Sequence, residues 1–324
     1  MVTKKYLDSA LTNIRLYHTK FTPPNPSKTI AILHGFGEHS GRFYEIARFF
    51  AAHDYEVLLI DLTGFGYSGG PRGCSTVEMM ENDVITLLTE ARPDLPLFMY
   101  AHSMGALVTI KLLIERPEIK VSGCFITSPF LGLPADRHFP KSKLLFVQQL
   151  GDDLEDLIIN AMINPTALTK NNKYMHNIFE DRLMIPFLSA KMAKSLFDSL
   201  DWIKEHVDSF DLPIIIFHGK KDSVISYKYS KEFIERKLGQ FRKLHLFERG
   251  YHELQHDEER DEMLDTGLKF LESLPGELVR PLGNIVYANL AVKVKPKEHP
   301  LKNGVKIAVI LGILFFLYRR FFRK

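Results

Sequence analysis

Leu95-Pro96-Leu97-Phe98-Met99-Tyr100-Ala101-His102-Ser103-Met104-Gly105 is the stretch that decides how the rest of the chain reads. The apolar run Leu97 to Tyr100 predicts a buried strand. Leu107, Ile110, Leu112, Leu113 and Ile114 follow at helical spacing, closed by Pro117. Ser103 stands between strand and helix with small residues two positions before and after it. This is the G-x-S-x-G elbow pattern with Ala101 at the first glycine position. So sharp a turn leaves no room for bulky side chains at those two positions. It would lift the serine hydroxyl to the edge of a sheet, at a helix N-terminus that favours developing negative charge. Read alone, the same residues also suit a serine N-cap. What separates the two readings is the company the motif keeps along the chain.

Upstream, Tyr6 to Lys20 reads as a strand or hairpin, and Pro23-Pro24-Asn25-Pro26 as a turn. Thr29 to Leu33 is a buried strand that runs into His34-Gly35-Phe36-Gly37-Glu38-His39-Ser40-Gly41-Arg42. Glycines at a strand end let backbone N–H groups point into a site. A helix over 44–52, a strand over 56–60, the loop Asp61 to Ser68 and a helix over 77–91 lead to the elbow strand. Strands alternating with helices of this length predict βαβ units and a mainly parallel sheet with helices on both faces. One more strand, Val121 to Thr127, ends at Ser128-Pro129. The alternation then stops, and from about Phe130 to Val207 only helix-like stretches remain, with apolar positions such as Leu144, Leu145, Leu154, Leu157, Met162, Leu188, Met192 and Leu196. The alternation resumes at Pro213 to Gly219, with a helix over 230–238, a strand over 243–247, the turn Arg249 to His252 and a helix over about 258–274. The expected organisation is a core in two parts, 1–129 and 208–275, a helical cap insertion over 130–207, a basic linker over 276–304 and an apolar C-terminal segment over 305–322.

Ser103, Asp222 and His252 follow one another in the chain order serine, acid, histidine. Asp222 lies just past one strand end and His252 just past the next, so three strand-end loops would gather them at one edge of the sheet. In that arrangement His252 takes the proton of Ser103 and Asp222 orients the imidazole. The backbone N–H groups of Met104 and Phe36 would hold an oxyanion. Neither metal nor cofactor is called for. Asp61 also carries a carboxylate near a strand end, but it precedes the nucleophile, and its loop reads as a brace. His34, His39, His102 and His218 read as packing or hydrogen-bonding groups.

Four stretches together carry a resemblance. His34-Gly-Phe-Gly-Glu-His-Ser-Gly-Arg42, Asp61-x-x-Gly64-x-Gly66-x-Ser68, Pro93-Asp94-Leu95-Pro96-Leu97 ahead of His102-Ser103-Met104-Gly105, and His218-Gly219-x-x-Asp222 resemble the monoglyceride lipase and lysophospholipase group of α/β-hydrolases, over roughly residues 5–275. The resemblance implies an α/β-hydrolase fold with a helical cap and esterase action on monoacylglycerols, lysophospholipids or similar lipid esters. The chain departs from the group at Ala101 and at Thr63 and Phe65, where Arg and His are usual.

Other readings of the same residues bear on function. His252-Glu253-Leu254-Gln255-His256 spells H-E-x-x-H, the zinc metallopeptidase pattern. That chemistry needs both histidines one turn apart on an established helix, and Arg249-Gly250-Tyr251 before it reads as a turn. An H-x-x-x-x-D acyltransferase box at His252 to Asp257 recurs at His206 to Asp211, so it discriminates little. Acyl transfer or a non-lipid carboxylesterase activity would run on the same three residues. A membrane-anchored binding protein would have no need of all three.

The totals set bounds. The 324 residues carry a formal charge of +3. From Lys293 onward there are nine Lys/Arg and one Glu, so the body before it is acidic, with 33 basic against 38 acidic residues. An acidic body argues against nucleic acid as a partner. Two cysteines, Cys74 and Cys124, make no disulfide framework, and the Asn-x-Ser/Thr triplets at Asn25 and Asn164 both carry proline in the middle. Residues 1–16 contain no apolar signal region. These features favour a reducing, intracellular setting. The C-terminal run Ile307 to Tyr318 is apolar on every face, unlike an amphipathic surface helix. Its twelve residues span only about 18 Å of a ~30 Å hydrocarbon core. Counting Val305 to Phe322, with Lys306, Arg319 and Arg320 snorkelling, gives about 27 Å. The expectation is a single C-terminal transmembrane helix that holds a cytosol-facing hydrolase on an intracellular membrane.

Overall fold

A computed structural model describes residues 1–9, 12–134, 152, 154–161 and 163–281. Its frame is an eight-stranded sheet in the order β1-β2-β4-β3-β5-β6-β9-β10. β1 (Val2–Asp8) and β2 (Arg15–Phe21) form an antiparallel hairpin, and β2 also runs antiparallel to β4 (Tyr55–Ile60). From β4 onward every pairing is parallel, through β3 (Lys28–Leu33), β5 (Leu97–His102), β6 (Gly123–Thr127), β9 (Ile214–Gly219) and β10 (Arg242–Phe247).

The central strands read as continuous apolar runs because both of their faces are covered. Ala31, Leu33, Met99, Ala101, Cys124, Ile126, Ile214 and Ile216 point into one core layer, with α2 (Val77–Leu88), α3 (Met104–Glu115) and α5 (Ala190–His206). Ile30, Ile32, Phe98, Tyr100, Phe125, Ile215 and Phe217 point into the other, with α1 (Tyr44–Ala52) and α7 (Arg260–Glu272). On this second face the rings of Tyr100, Phe125 and Phe217 lie side by side across three neighbouring strands, their centroids 4.9 and 4.8 Å apart. α7 closes directly on this row, since a Cβ built on Gly267 would fall 1.8 Å from Phe125 Cε2. α6 (Tyr227–Arg236) links β9 to β10.

Between Thr127 and Ile214 the chain leaves the large sheet. Its described strands and α-helices there are β7 (Ile158–Asn160), α4 (Asn172–Glu180), β8 (Phe187–Ser189) and α5. The antiparallel pair β7–β8 corrects the expectation of a strandless insertion. Strands of three residues are too short to show a period of two. Leu144, Leu145 and Met162 lie outside the described residues. So do most of the linker and the whole apolar segment 305–322. Among the described residues no helix is long and apolar enough to cross a membrane.

Candidate active site

Ser103 sits between β5 and α3 at φ 50° and ψ −114°, a backbone state that non-glycine residues rarely hold without support. The support is local. Its N–H donates to the Thr127 carbonyl at 3.0 Å, and its own carbonyl accepts the N–H groups of Ala106 and Phe130, each at 3.1 Å. Gly105 is required here because a Cβ would lie 2.4 Å from the His34 carbonyl oxygen. Ala101, by contrast, is fully buried on β5, and its methyl joins the core layer beneath α3.

The three residues picked from chain order meet at the C-terminal edge of the sheet. His252 Nε2 lies 3.1 Å from Ser103 Oγ, and His252 Nδ1 lies 2.7 Å from Asp222 Oδ2. Asp222 Oδ1 accepts the N–H groups of Val224 and Ile225 at 2.8 and 2.9 Å. All three side chains are buried. Burial alone would raise the Asp222 pKa, but the charge of His252 and a hydrogen bond from His218 outweigh it and hold the carboxyl well below the usual range. Burial likewise works against a charged His252. The Asp222 carboxylate prevails, with Glu253 and Glu38 adding to it, and keeps His252 above its ordinary value.

The loop carrying Phe36 runs beside the nucleophile. A Cβ on Gly35 would come within 3.0 Å of His102 Cδ2 and 3.2 Å of Ser103 Cβ. Glu38 Oε1 accepts the Gly35 N–H at 2.7 Å and fixes the loop's path. The Phe36 N–H has no carbonyl partner among the described residues. Met104 opens α3, where an N–H has no intrahelical acceptor. Neither amide has a backbone carbonyl partner among the described residues, as the expected oxyanion role requires.

Asp61 lies elsewhere. Its carboxylate accepts the N–H groups of Ser40 at 2.8 Å and Tyr67 at 2.7 Å, pinning two loops together. His34 Nε2 accepts the Leu62 N–H at 3.0 Å, so Nδ1 carries the proton and donates to the Gly35 carbonyl; burial pushes its pKa down to about 4. His39 accepts from Gly41 N–H and donates through Nε2 to Asp181 at 2.8 Å. His102 reaches Thr127 Oγ1 at 3.0 Å, and burial holds it neutral. The two departures in the loop after Asp61 settle locally. Phe65 packs edge-on against His34 and Phe36, and Thr63 gives Asp83 both its N–H and its hydroxyl, at 2.7 and 3.0 Å.

The H-E-x-x-H segment is not an established helix. His252 and Glu253 lie in a loop, and only Leu254–His256 makes a single 3-10 turn. Glu253 forms a two-pronged ion pair with Arg42, at 2.8 and 2.7 Å, and Arg42 also reaches Glu38 at 2.7 Å. His256 stacks on Tyr174 with ring centroids 4.3 Å apart. The motif's side chains are thus directed to three different partners.

Two residues placed in the sequence without their partners, Ser128 at a strand end and His218 as a packing or hydrogen-bonding group, prove to support the site. Ser128, at φ 42° just past β6, donates its hydroxyl to the His252 carbonyl at 2.7 Å. His218, at the end of β9, lies 3.1 Å through Nε2 from Asp222 Oδ2. The insertion is also stitched to the site's loops. Glu253 N–H donates to the Leu168 carbonyl at 2.7 Å, Ile185 N–H to Gly37 at 2.8 Å and Ser189 N–H to Gly73 at 2.8 Å.

A nucleophile raised on such a turn, with acid and histidine following in that chain order on a parallel sheet, places the protein in the α/β-hydrolase class. The chain belongs to the serine aminopeptidase S33 family, whose profile matches residues 24–259. An abhydrolase domain-containing protein of Dictyostelium discoideum is 28% identical over 249 residues, and the chain spans about a quarter, 26%, of its length. The monoglyceride lipase of Mus musculus is 26% identical over 72% of this chain and 77% of its own. The phospholipase YtpA of Bacillus subtilis (strain 168) is 22% identical over 76% of this chain and 96% of its own. Among solved structures, a Paleococcus ferrophilus monoacylglycerol lipase superposes with a TM-score of 0.74 at 25% identity, covering 80% of this chain and 99% of that one.

Proposed function

We propose that the protein is a carboxylic ester hydrolase that cleaves acyl esters of lipids, of the monoacylglycerol or lysophospholipid type, through an acyl-enzyme on Ser103. The observation that carries this reading is the continuous hydrogen-bonded run from Ser103 Oγ through His252 to Asp222. His252 Nε2 takes the serine proton as Oγ attacks the ester carbonyl. Asp222 holds Nδ1–H and stabilises the imidazolium, while the N–H groups of Phe36 and Met104 receive the oxyanion. His252 then protonates the leaving alcohol. In the second half it draws a proton from water, which releases the fatty acid. The names of the mouse and bacterial relatives support the lipid class. Two partly buried phenylalanines support an apolar acyl site: Phe36, in the loop beside the nucleophile, and Phe130, whose N–H donates to the Ser103 carbonyl.

The proposal extends to placement: residues 305–322 anchor the chain to an intracellular membrane with the hydrolase facing the cytosol. Its support is the apolar run Ile307 to Tyr318 between basic flanks. Purified protein should release fatty acid from 1-monoacylglycerol or lysophosphatidylcholine, and Ser103→Ala should not. Equal release by the variant would remove Ser103 from the reaction.

A further inference from the structure

Asp222 is held by more than its histidine. As a carboxylate it can only accept, and each of its oxygens takes two donors. Oδ1 takes the N–H groups of Val224 and Ile225. Oδ2 is shared between two imidazoles, His252 Nδ1 at 2.7 Å and His218 Nε2 at 3.1 Å. That sharing fixes the second ring. His218 Nε2 must carry a proton to face an ionised carboxylate, and in the neutral ring Nδ1 is then left to accept from the Ser230 hydroxyl, which lies at 2.8 Å. His218 and Ser230 are both fully buried, as are the side chains at the two ends of the His218–Asp222 contact. The ring sits where β9 ends, and the tight turn through Gly219 brings Asp222 back onto it. A packing role would need neither bond. A buried imidazole with both nitrogens matched, one of them to the candidate acid, is arranged to act on that acid.

We propose that His218 is a positioning residue of the triad: its Nε2–H occupies one side of Asp222 Oδ2 and thereby limits how strongly Asp222 holds the His252 proton. The inference rests on the serine esterase reading above. Hydrogen bonds to a carboxylate favour its charged form and lower its basicity. With the His218 bond present, Asp222 orients His252 without over-stabilising the imidazolium. Without it, the same Oδ2 would bind the His252 proton more firmly, and the free base would appear only at higher pH. The other groups facing His252 stay in place in such a variant. They are Glu253 beside it, Glu38 from the loop after β3 and His102 from β5, whose ring centroid is 4.9 Å from that of His252. Glu38 and Glu253 are in turn paired with Arg42.

The experiment is the pH dependence of Ser103 phosphonylation by a fluorophosphonate probe, with kcat and KM on a p-nitrophenyl ester, for wild type, His218→Phe, His218→Gln and Ser230→Ala. Phenylalanine keeps the ring's bulk without a donor, whereas the glutamine amide can restore a donor near the Nε2 position. His218→Phe should move the acid limb up by about half a pH unit or more and lower kcat by ~10-fold with KM little changed. His218→Gln should return the limb toward wild type. Ser230→Ala, which frees Nδ1 and loosens the tautomer, should move it the same way by less. A folded His218→Phe enzyme with the wild-type limb would overturn the proposal. If that variant does not fold, an unshifted limb in Ser230→Ala overturns it equally. Failure of the wild-type enzyme to label at Ser103 would sink the esterase reading itself, a result distinct from labelling with an unmoved limb.

Discussion

At the scale of single residues, the site separates carboxylates that look alike in sequence by what each one touches. Asp222 faces His252, whereas Asp61 accepts two backbone N–H groups and braces two loops. Their substitutions should therefore fail differently. Asp222→Asn should lower kcat by ~10⁴, by analogy with loss of the acid in other serine triads, and His252→Ala by up to ~10⁶. Asp61→Asn leaves an amide facing N–H groups and should cost about 1–3 kcal/mol of stability, with kcat of the folded fraction nearly unchanged. Urea unfolding beside active-site titration separates the two outcomes. Loss of activity in a stable Asp61→Asn protein would reassign the acid. The pH behaviour follows from the same contacts. His252 must be neutral to act as a base, and its pKa is raised, so kcat/KM should climb through an acid limb lying above the unperturbed value of about 6.5. Asp83 gives the opposite kind of signal. Burial outweighs the hydrogen bonds from Thr63 and lifts its carboxyl to about 7. A raised acid pKa penalises the folded state as pH rises from the unfolded value toward the folded one. Asp83→Asn should thus gain on wild type in melting temperature between pH 5 and pH 8, and a pH-independent difference would contradict this.

At the scale of elements, the strands were legible because parallel strands covered on both faces are unbroken apolar runs. Thr29 to Leu33 and Pro213 to Gly219 announce themselves as β3 and β9 within a residue of their ends. The candidate triad was legible for a related reason: each of its members follows a strand end, and a parallel sheet brings those ends to one edge. The partners of its supports were not. His218 acts only because the turn through Gly219 folds Asp222 back on it, and Ser128 only because it stands at φ 42°, which nothing in a serine's neighbours announces. β7 and β8 were too short to show their period, and H-E-x-x-H matched a helix pattern where the chain makes a loop and a single 3-10 turn. Packing between elements gives a direct test. Gly267→Ala would drive a methyl into Phe125 and should cost about 1–3 kcal/mol while the folded fraction keeps its kcat. Gly105→Ala would press on the His34 carbonyl beneath the nucleophile and should lower kcat as well. Equal kcat losses in the two variants would deny that the turn at Ser103 is set by the contact between α3 and the end of β3.

At the scale of the whole molecule, the sheet edge presents Ser103, the described residues Phe130, Leu168 and Ile185 bond to the loops at that edge, and the apolar segment 305–322 is proposed to hold that edge near a bilayer. Carbonate extraction checks the last point. Full-length protein should remain with membranes, whereas a chain ending at Pro296 should be released and still cleave soluble esters. Release of the intact chain would remove the anchor without touching the chemistry. The insertion's contribution should appear as chain-length preference. At about 0.8 kcal/mol per buried methylene, kcat/KM should rise roughly fourfold per CH₂ until the site is full, and a flat response from short to medium acyl esters would mean that no acyl site exists. The central claim, an acyl-enzyme on Ser103 formed from a lipid ester, has one measurement most directly its own. Quenched turnover of a 1-monoacylglycerol, followed by mass spectrometry of the peptide containing Ser103, should show that peptide heavier by one acyl group in wild type and unmodified in Ser103→Ala. Steady fatty acid release with no acyl group on Ser103, or with the acyl group on another residue, would contradict the account.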